Sequence, residues 1–155
     1  MKKQAGFTLV ELMVVIAIMG ILAATAVGFV AKYRQRTVGS EATVMMKQLL
    51  EAEIIYFLGH ETFFPNPPGI IEIRHDGTAK LNGSDDPTII QDTLDAISVA
   101  IPVGHLLDFN ITSTGDMCGV TISSSASANF DLFPGATSLI GTVDKTGKMT
   151  GPTPF

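Results

Sequence analysis

The chain has 155 residues, of which 46% are hydrophobic and 16% are charged, with a formal net charge of −5 at pH 7. Residues 1–36 hold five basic groups and one acid (net +4), whereas residues 37–155 hold five basic and fourteen acidic groups (net −9). This size accommodates one globular domain plus one further element, and the charge excludes a basic nucleic-acid-binding domain. Cys118 is the only cysteine, which excludes a disulfide-stapled miniprotein.

The first predicted element is a membrane-spanning helix. Twenty consecutive uncharged residues run from Leu12 to Ala31, and at 1.5 Å per residue they span about 30 Å, roughly the hydrocarbon thickness of a bilayer. The run is longer than the core of a secretory signal peptide, which is about 7–15 residues. A basic cluster at residues 32–36 follows it, and Lys2 and Lys3 precede it. These features exclude a polytopic transporter and predict a single membrane span.

Two features distinguish this segment from a simple membrane anchor. Glu11 is the only charged residue between Phe7 and Ala31, and a carboxylate in the bilayer core costs about 2.5–3.5 kcal/mol on insertion scales. An acid in such a position indicates a functional partner. Gly6 and Phe7 place a small residue before a large apolar one, with both leader lysines upstream. Cleavage between them would leave Phe7 as a new amino terminus, four residues before Glu11.

The stretch from Gly6 to Ala24, which begins Gly-Phe-Thr-Leu-Val-Glu, resembles the amino-terminal region of type IV pilins and of the pseudopilins of type II secretion. The resemblance implies a class III signal peptide: a prepilin peptidase cuts after Gly6, and the same enzyme N-methylates Phe7. It also implies that Glu11 is needed for subunits to enter a filament. Many pilins carry proline at the position of Gly28 and glycine at that of Gly20. Here both are glycine, so we expect softening of the helix without a proline kink.

The pairing of Phe7 with Glu11 is also expected on physical grounds. A free amine at Phe7 would be cationic, with a reference pKa of about 7.7–8.0. In a bundle of axially displaced helices, Glu11 of one subunit can neutralise the amine of its neighbour. Leaving one of two buried charges unpaired costs about 3–5 kcal/mol, so the pair selects the register of assembly more than it adds stability.

An amphipathic helix is predicted to continue over residues 37–58. Apolar residues recur there at steps of three and four: Val38, Ala42, Met45, Leu49, Ala52 and Tyr56, widened by Met46, Leu50 and Phe57. Glu53 falls inside this apolar stripe, where it either reaches past its neighbours to water or contacts a basic partner. Gly59 is expected to end the helix, and Gly39 to bend or fray it.

Residues 59–155 are predicted to form a globular head. They contain eleven glycines and eight prolines, and the apolar periodicity shifts towards two. Ile71 and Ile73 alternate with polar residues before an Asp-Gly hairpin turn at residues 75–78. Further strands are predicted at Leu107–Thr112, Gly119–Ser124 and Leu139–Val143, the last turning at residues 145–148. The expected fold is α+β, a long amino-terminal helix packed against a small antiparallel sheet.

A short helix and a loop complete the predicted head. Asp86 and Pro87 are typical of a helix cap followed by proline at the first helical position. The apolar positions assigned to this helix are Ile90, Leu94, Ile97 and Ile101. Residues 123–127, a run of serines and alanine, are assigned to a loop.

The head offers little chemistry. Asn82, Asp85 and Asp86 form a calcium candidate, although a turn with a helix cap explains the same residues. The three histidines, His60, His75 and His105, lack metal-ligand spacing. Cys118 is expected to be a buried small side chain. No enzyme, cofactor or nucleic-acid partner is predicted.

Together the sequence and the resemblance predict four segments: a leader (1–6), a membrane and assembly half-helix (7–36), an amphipathic half-helix (37–58) and a head (59–155). The predicted protein is a type IV pilus subunit that forms a homopolymer. The alternatives are a pseudopilin, a minor pilin and a non-polymerising membrane-anchored binding protein. The resemblance implies an inner-membrane precursor, an assembly platform with its cytoplasmic ATPase, and a final location in an extracellular pilus or a periplasmic pseudopilus.

Overall fold

The computed structural model describes residues 6–104, 106–125 and 131–155. It divides into two compact units, one ending at Arg34 and the other covering Gln35–Phe155. Helix α1 runs from Leu9 to His60 and begins in the first unit, where residues 6–8 precede it. The α+β fold predicted from the sequence is confirmed.

The second unit contains a seven-stranded antiparallel sheet. Its elements, in chain order, are β1 (Ile70–Ile73), β2 (Ala79–Leu81), β3 (Ser84–Asp85), helix α2 (Ile89–Ile97), β4 (Leu107–Ser113), β5 (Met117–Ser124), β6 (Ser138–Asp144) and β7 (Met149–Pro154). The spatial order of the strands is β3-β2-β1-β4-β5-β6-β7. Strands β1, β2 and β3 therefore pair in sequence order. Helix α2 follows β3, and β4 then pairs with the free side of β1.

One face of this sheet packs against the carboxyl-terminal part of α1. Alternate residues of β4 and β5, including Phe109, Ile111, Val120 and Ile122, are buried, as expected for strands with one covered face. An added Cβ at Gly141 in β6 would lie 2.8 Å from side-chain atoms of both Met46 and Leu50. The absence of a side chain at Gly141 thus lets the helix approach the sheet closely.

The predicted apolar stripe on α1 forms the helical side of the core. The residues of the stripe that are buried are Val38, Ala42, Met46, Leu49, Leu50 and Ala52. Met45, Tyr56 and Phe57 are partly buried and pack against this core. The stripe therefore faces the sheet of its own chain.

Gly39 does not fray α1, so that part of the expectation is wrong; a bend at this position stays a prediction. Residue 39 is helical and buried. A Cβ there would lie 2.5 Å from the backbone oxygen of Leu132 and 3.3 Å from the ring of Phe133. Glycine is present because the segment after β5 passes directly over the helix.

The helix ends differ from the prediction by two to four residues. Helix α1 passes through Gly59 and ends at His60, and Glu61 takes the left-handed conformation (φ 58°) while its N–H donates to the Phe57 carbonyl at 2.8 Å. Helix α2 begins at Ile89, because Asp86 forms a turn in which its carboxylate accepts bonds from Thr88. Ile101 lies beyond the end of α2 but is buried.

Strands β4, β5 and β6 confirm the three predicted strands to within about two residues at each end. Both predicted turns are also present, with Gly77 and Gly147 at positive φ. The loop assigned to residues 123–127 is wrong at Ser123 and Ser124, which belong to β5, while residues 126 and 127 lie outside the described residues. Strands β3 and β7 were not predicted, and β7 forms one edge of the sheet with Pro152 and Pro154 in it.

Candidate functional site

The start of α1 is a reciprocal capping arrangement between Thr8 and Glu11. The Thr8 N–H and hydroxyl both donate to Glu11 Oε2, at 2.9 and 2.8 Å, and the Glu11 N–H donates to Thr8 Oγ1 at 3.2 Å. This is the capping box, a Ser or Thr followed three residues later by Glu, which satisfies otherwise unpaired helix N–H groups. The spacing is visible in the sequence, but the prediction assigned Glu11 only to pairing between subunits.

The predicted cleavage and methylation residues lie immediately before this cap. Gly6 and Phe7 are outside the helix and exposed, with 81% of Phe7 accessible. The leader lysines, Lys2 and Lys3, lie outside the described residues. The peptide bond between Gly6 and Phe7 is thus placed on an accessible, non-helical segment, as a peptidase substrate requires.

The amino-terminal part of α1 exposes an apolar surface that contains no charged residue over residues 12–31. Each large hydrophobic side chain from Leu9 to Tyr33 that contributes to it is at least 45% accessible. Monomeric soluble proteins rarely expose apolar patches beyond a few hundred Å², and larger ones mark membrane or protein interfaces. By length and composition this helix can cross a membrane.

Gly20 and Gly28 lie within this surface. Both are helical, and an added Cβ at either position would meet no atom within 4 Å. Neither glycine interrupts α1, and neither is explained by packing within the described chain. Their expected role in softening the helix stays a prediction.

A second unusual carboxyl group lies in the core of the second unit, which covers Gln35–Phe155 and is called the head unit from here on. Glu53 is fully buried; its Oε2 accepts a hydrogen bond from the Phe64 N–H at 3.0 Å, and its Oε1 has no hydrogen-bond partner among the described residues. Burial raises the pKa of Glu53 to about 8, although the Phe64 bond opposes the shift. Both interpretations from the sequence, a reach to water and a basic partner, are wrong: Glu53 holds the segment that follows α1.

Cys118 lies in the same core. Burial, reinforced by the charge of Glu53, raises the pKa of the Cys118 thiol far above its usual range. A thiolate is the reactive form of cysteine, so Cys118 is held as an inert thiol. This agrees with the prediction of a buried small side chain.

The calcium candidates are engaged in local contacts. Asp85 lies 3.6 Å from the Lys80 ammonium, and Asp86 accepts bonds from the Thr88 N–H and hydroxyl. The Asn82 side-chain oxygen accepts a bond from the Ile70 N–H at 2.8 Å. Across residues 6–104, 106–125 and 131–155, no three His, Cys, Asp or Glu side chains are grouped as a metal site requires.

The histidines have structural contacts. The His60 ring stacks on Tyr56 with centroids 4.1 Å apart. His75 Nδ1 lies 3.0 Å from Asp108 Oδ1, so His75 joins the turn after β1 to β4. His105 lies outside the described residues.

Comparison with known proteins agrees with the site at the start of α1. A family model described as the prokaryotic N-terminal methylation motif matches residues 1–27. The type IV major pilin protein PilE1 of Neisseria gonorrhoeae is 45% identical over 65 residues, which are 42% of this chain and 30% of that protein. The type IV major pilin protein PilA of Myxococcus xanthus is 46% identical over 55 residues, 36% of this chain and 25% of that pilin. The chain thus spans less than a third of the length of these two relatives.

A further relative matches over nearly the whole chain. The fimbrial protein of Moraxella nonliquefaciens is 30% identical over 150 residues, covering 96% of this chain and 84% of that protein. No solved structure matches the chain. The fold, the capped start of α1 and the matching motif together define an α+β protein that carries the prokaryotic N-terminal methylation motif. The chain belongs to the type IV pilin family. These relatives are named as pilins and as a fimbrial protein, which agrees with the prediction that the chain is not an enzyme.

Proposed function

We propose that the chain is the precursor of a type IV pilus subunit, which polymerises into a helical surface filament through the amino-terminal part of α1. The observation that carries this proposal is the exposed apolar surface of α1, which contains no charged residue over residues 12–31. A bilayer covers this surface in the precursor, and neighbouring helices cover it in the filament. The proposal places the precursor in the inner membrane and the polymer outside the cell.

Processing prepares the subunit for assembly. A prepilin peptidase removes residues 1–6 and methylates the new amino terminus at Phe7. The methylation-motif match over residues 1–27 and the accessibility of Gly6 and Phe7 support this step. An assembly platform driven by a cytoplasmic ATPase then adds the subunit to the filament. The methyl group comes from a methyl donor used by the peptidase, and this chain itself is expected to bind neither a cofactor nor a nucleic acid.

The proposed charge pair uses the capping geometry of Glu11. Both bonds from Thr8 go to Oε2, and because a carboxylate has about four acceptor positions, Oε1 is available to another donor. The Phe7 amine of the neighbouring subunit is that donor. Thr8 also keeps the carboxylate hydrogen-bonded before assembly, which lowers the cost of carrying it in the membrane.

The test replaces Glu11 by Leu, Gln or Asp. Leu removes the capping acceptor and the charge, Gln keeps an acceptor for Thr8 but loses the charge, and Asp keeps the charge on a shorter side chain. We expect normal precursor levels and cleavage for all three, with few filaments from Leu or Gln and an intermediate yield from Asp. The measurement is the amount of filament sheared from the cells. Wild-type yield from Glu11→Gln would show that Glu11 acts only as a helix cap.

The same shearing experiment separates the proposed function from its alternatives. A major pilin is released as long filaments, whereas a pseudopilin of type II secretion stays in the envelope. A minor pilin is released in small amounts within filaments of another subunit. A non-polymerising anchored protein stays in the membrane. The curated major pilins among the relatives favour the first outcome.

A further inference from the structure

A shallow apolar groove of about 510 Å³ lies on the head between α1 and the end of α2. Among its lining residues are Glu51, Ala52 and Ile55 of α1 and Ile97, Val99 and Ala100 at and after the end of α2. Ile55 is 71% exposed, although it lies on the head half of the helix, outside the predicted membrane segment. The groove therefore has apolar side chains that the head itself leaves uncovered.

Among the described residues, the lining of the groove includes one acidic side chain, Glu51, and no basic one. Helix α2 carries two further exposed carboxylates, Asp92 and Asp95. The sequence contains no Lys or Arg between Leu81 and Asp144. Lys47 lies one helical turn before Glu51 on α1 and is not among the residues that line the groove. An apolar floor with an exposed carboxylate in its lining fits a partner that presents large apolar and basic side chains together.

The chain itself presents such a surface after its membrane segment. Phe29, Lys32, Tyr33 and Arg36, here called the collar, follow steps of three, one and three and so share one helix face. Phe29 is 63% exposed and Tyr33 67%, and Lys32 and Arg36 are also exposed. The collar is therefore complementary to the groove: both are apolar, and the basic charges of the collar are opposite in sign to the acidic charge of the groove.

We propose that the groove of one subunit receives the collar of a second copy of this chain in the filament. The proposal rests on the pilus-subunit function proposed above and names a contact within that polymer. Groove and collar are different surfaces of the same chain, so the contact is heterologous. A heterologous contact that does not close into a ring propagates as an open filament.

The first test is cross-linking in filaments made by cells producing the full chain. Tyr33→Cys and Ala100→Cys are combined, because one lies in the collar and the other lines the groove. Mild oxidation of sheared filaments is expected to give a ladder of covalent multimers on denaturing gels. Cys118 is fully buried, so the subunits of oxidised wild-type filaments are expected to run as monomers on the same gels. A matched control pairs Tyr33→Cys with Asn110→Cys, an exposed position in β4 on the sheet face away from α1.

The second test exchanges charges. Glu51→Lys and Arg36→Glu each place like charges in the contact and are expected to reduce filament recovery, most strongly at low salt, where exposed charges are least screened. Each exposed pair changes the association constant by up to about fivefold. The double variant restores the attraction and is expected to recover filaments.

The outcomes separate this contact from the function on which it rests. Filaments without a Tyr33–Ala100 ladder, or with an equal ladder from the Asn110 control, would overturn the contact and leave the subunit function intact. The same holds if the charge exchange fails to restore filaments lost in the single variants. If wild-type cells release no filaments of this chain, the subunit function itself falls, and the contact with it.

Discussion

The buried carboxyl group of Glu53 predicts an unusual dependence of head stability on pH. In the folded head the pKa is about 8, against 4.5 for the unperturbed side chain. Between these values the folded state holds one proton more than the unfolded state, so the free energy of unfolding falls as pH rises from about 4.5 to about 8. At 1.36 kcal/mol for each pKa unit, this group removes about 5 kcal/mol across that window, of which about 3 kcal/mol is lost by pH 7.

The measurement is urea unfolding of a truncated chain beginning at Gln35, the start of the compact head unit, at several pH values from 5 to 9. Glu53→Gln keeps an acceptor for the Phe64 N–H but cannot ionise, so its stability is expected to stay nearly constant over this range. Glu51→Gln serves as the control, because Glu51 is exposed on the same helix. The lowered pKa values of Asp76 and Asp144 act at more acidic pH and do not interfere. An equal pH slope in wild type and Glu53→Gln would refute the reasoning.

Four further substitutions test the packing of α1 and the processing site. Gly39→Ala forces a Cβ to within 2.5 Å of a backbone oxygen and is expected to lower head stability by about 1–2 kcal/mol in urea unfolding, whereas Gly59→Ala, which meets no atom within 4 Å, should raise it by up to about 1 kcal/mol. Leu49→Ala removes a fully buried side chain and should cost about 2–5 kcal/mol, while an unchanged melting temperature would place this stripe outside the core. Gly6→Leu should leave the precursor uncut, and an intact mass beginning at Phe7 from that variant would contradict the cleavage assignment.

The sequence predicted the helices and strands that bury one face only, because their apolar residues then repeat at a regular spacing. The stripe on α1 and the alternation in β4, β5 and β6 follow from one covered side, so their residues repeat regularly. Strand β7 gave no such signal, because Gly151, Pro152 and Pro154 are poor strand residues and its burial does not alternate. Strand β3 has two exposed residues, too few to show a period.

The candidate sites also differ in whether the sequence alone could predict them. Gly6, Phe7 and Glu11 form a local motif that can be recognised from the sequence. The contacts of Glu53 and Gly39 depend on Phe64 and on Leu132, residues distant in sequence that the fold brings together. Helical spacing placed Glu53 in the apolar stripe but gave no information on the backbone N–H that meets it. Likewise, the sequence alone suggested flexibility at Gly39, because only the structure shows that the backbone of Leu132 lies against this position.

The prolines of β7 affect which polymers the protein can form. A sheet edge with free N–H groups is a template for a strand from another chain, and crowded precursors with such edges aggregate. Pro152 and Pro154 carry no N–H to offer on one edge of the sheet, and the opposite edge is the two-residue β3. Edge-to-edge growth of the heads is therefore disfavoured even at high local concentration. The two protected sheet edges therefore oppose an amyloid-like association that would compete with the proposed filament.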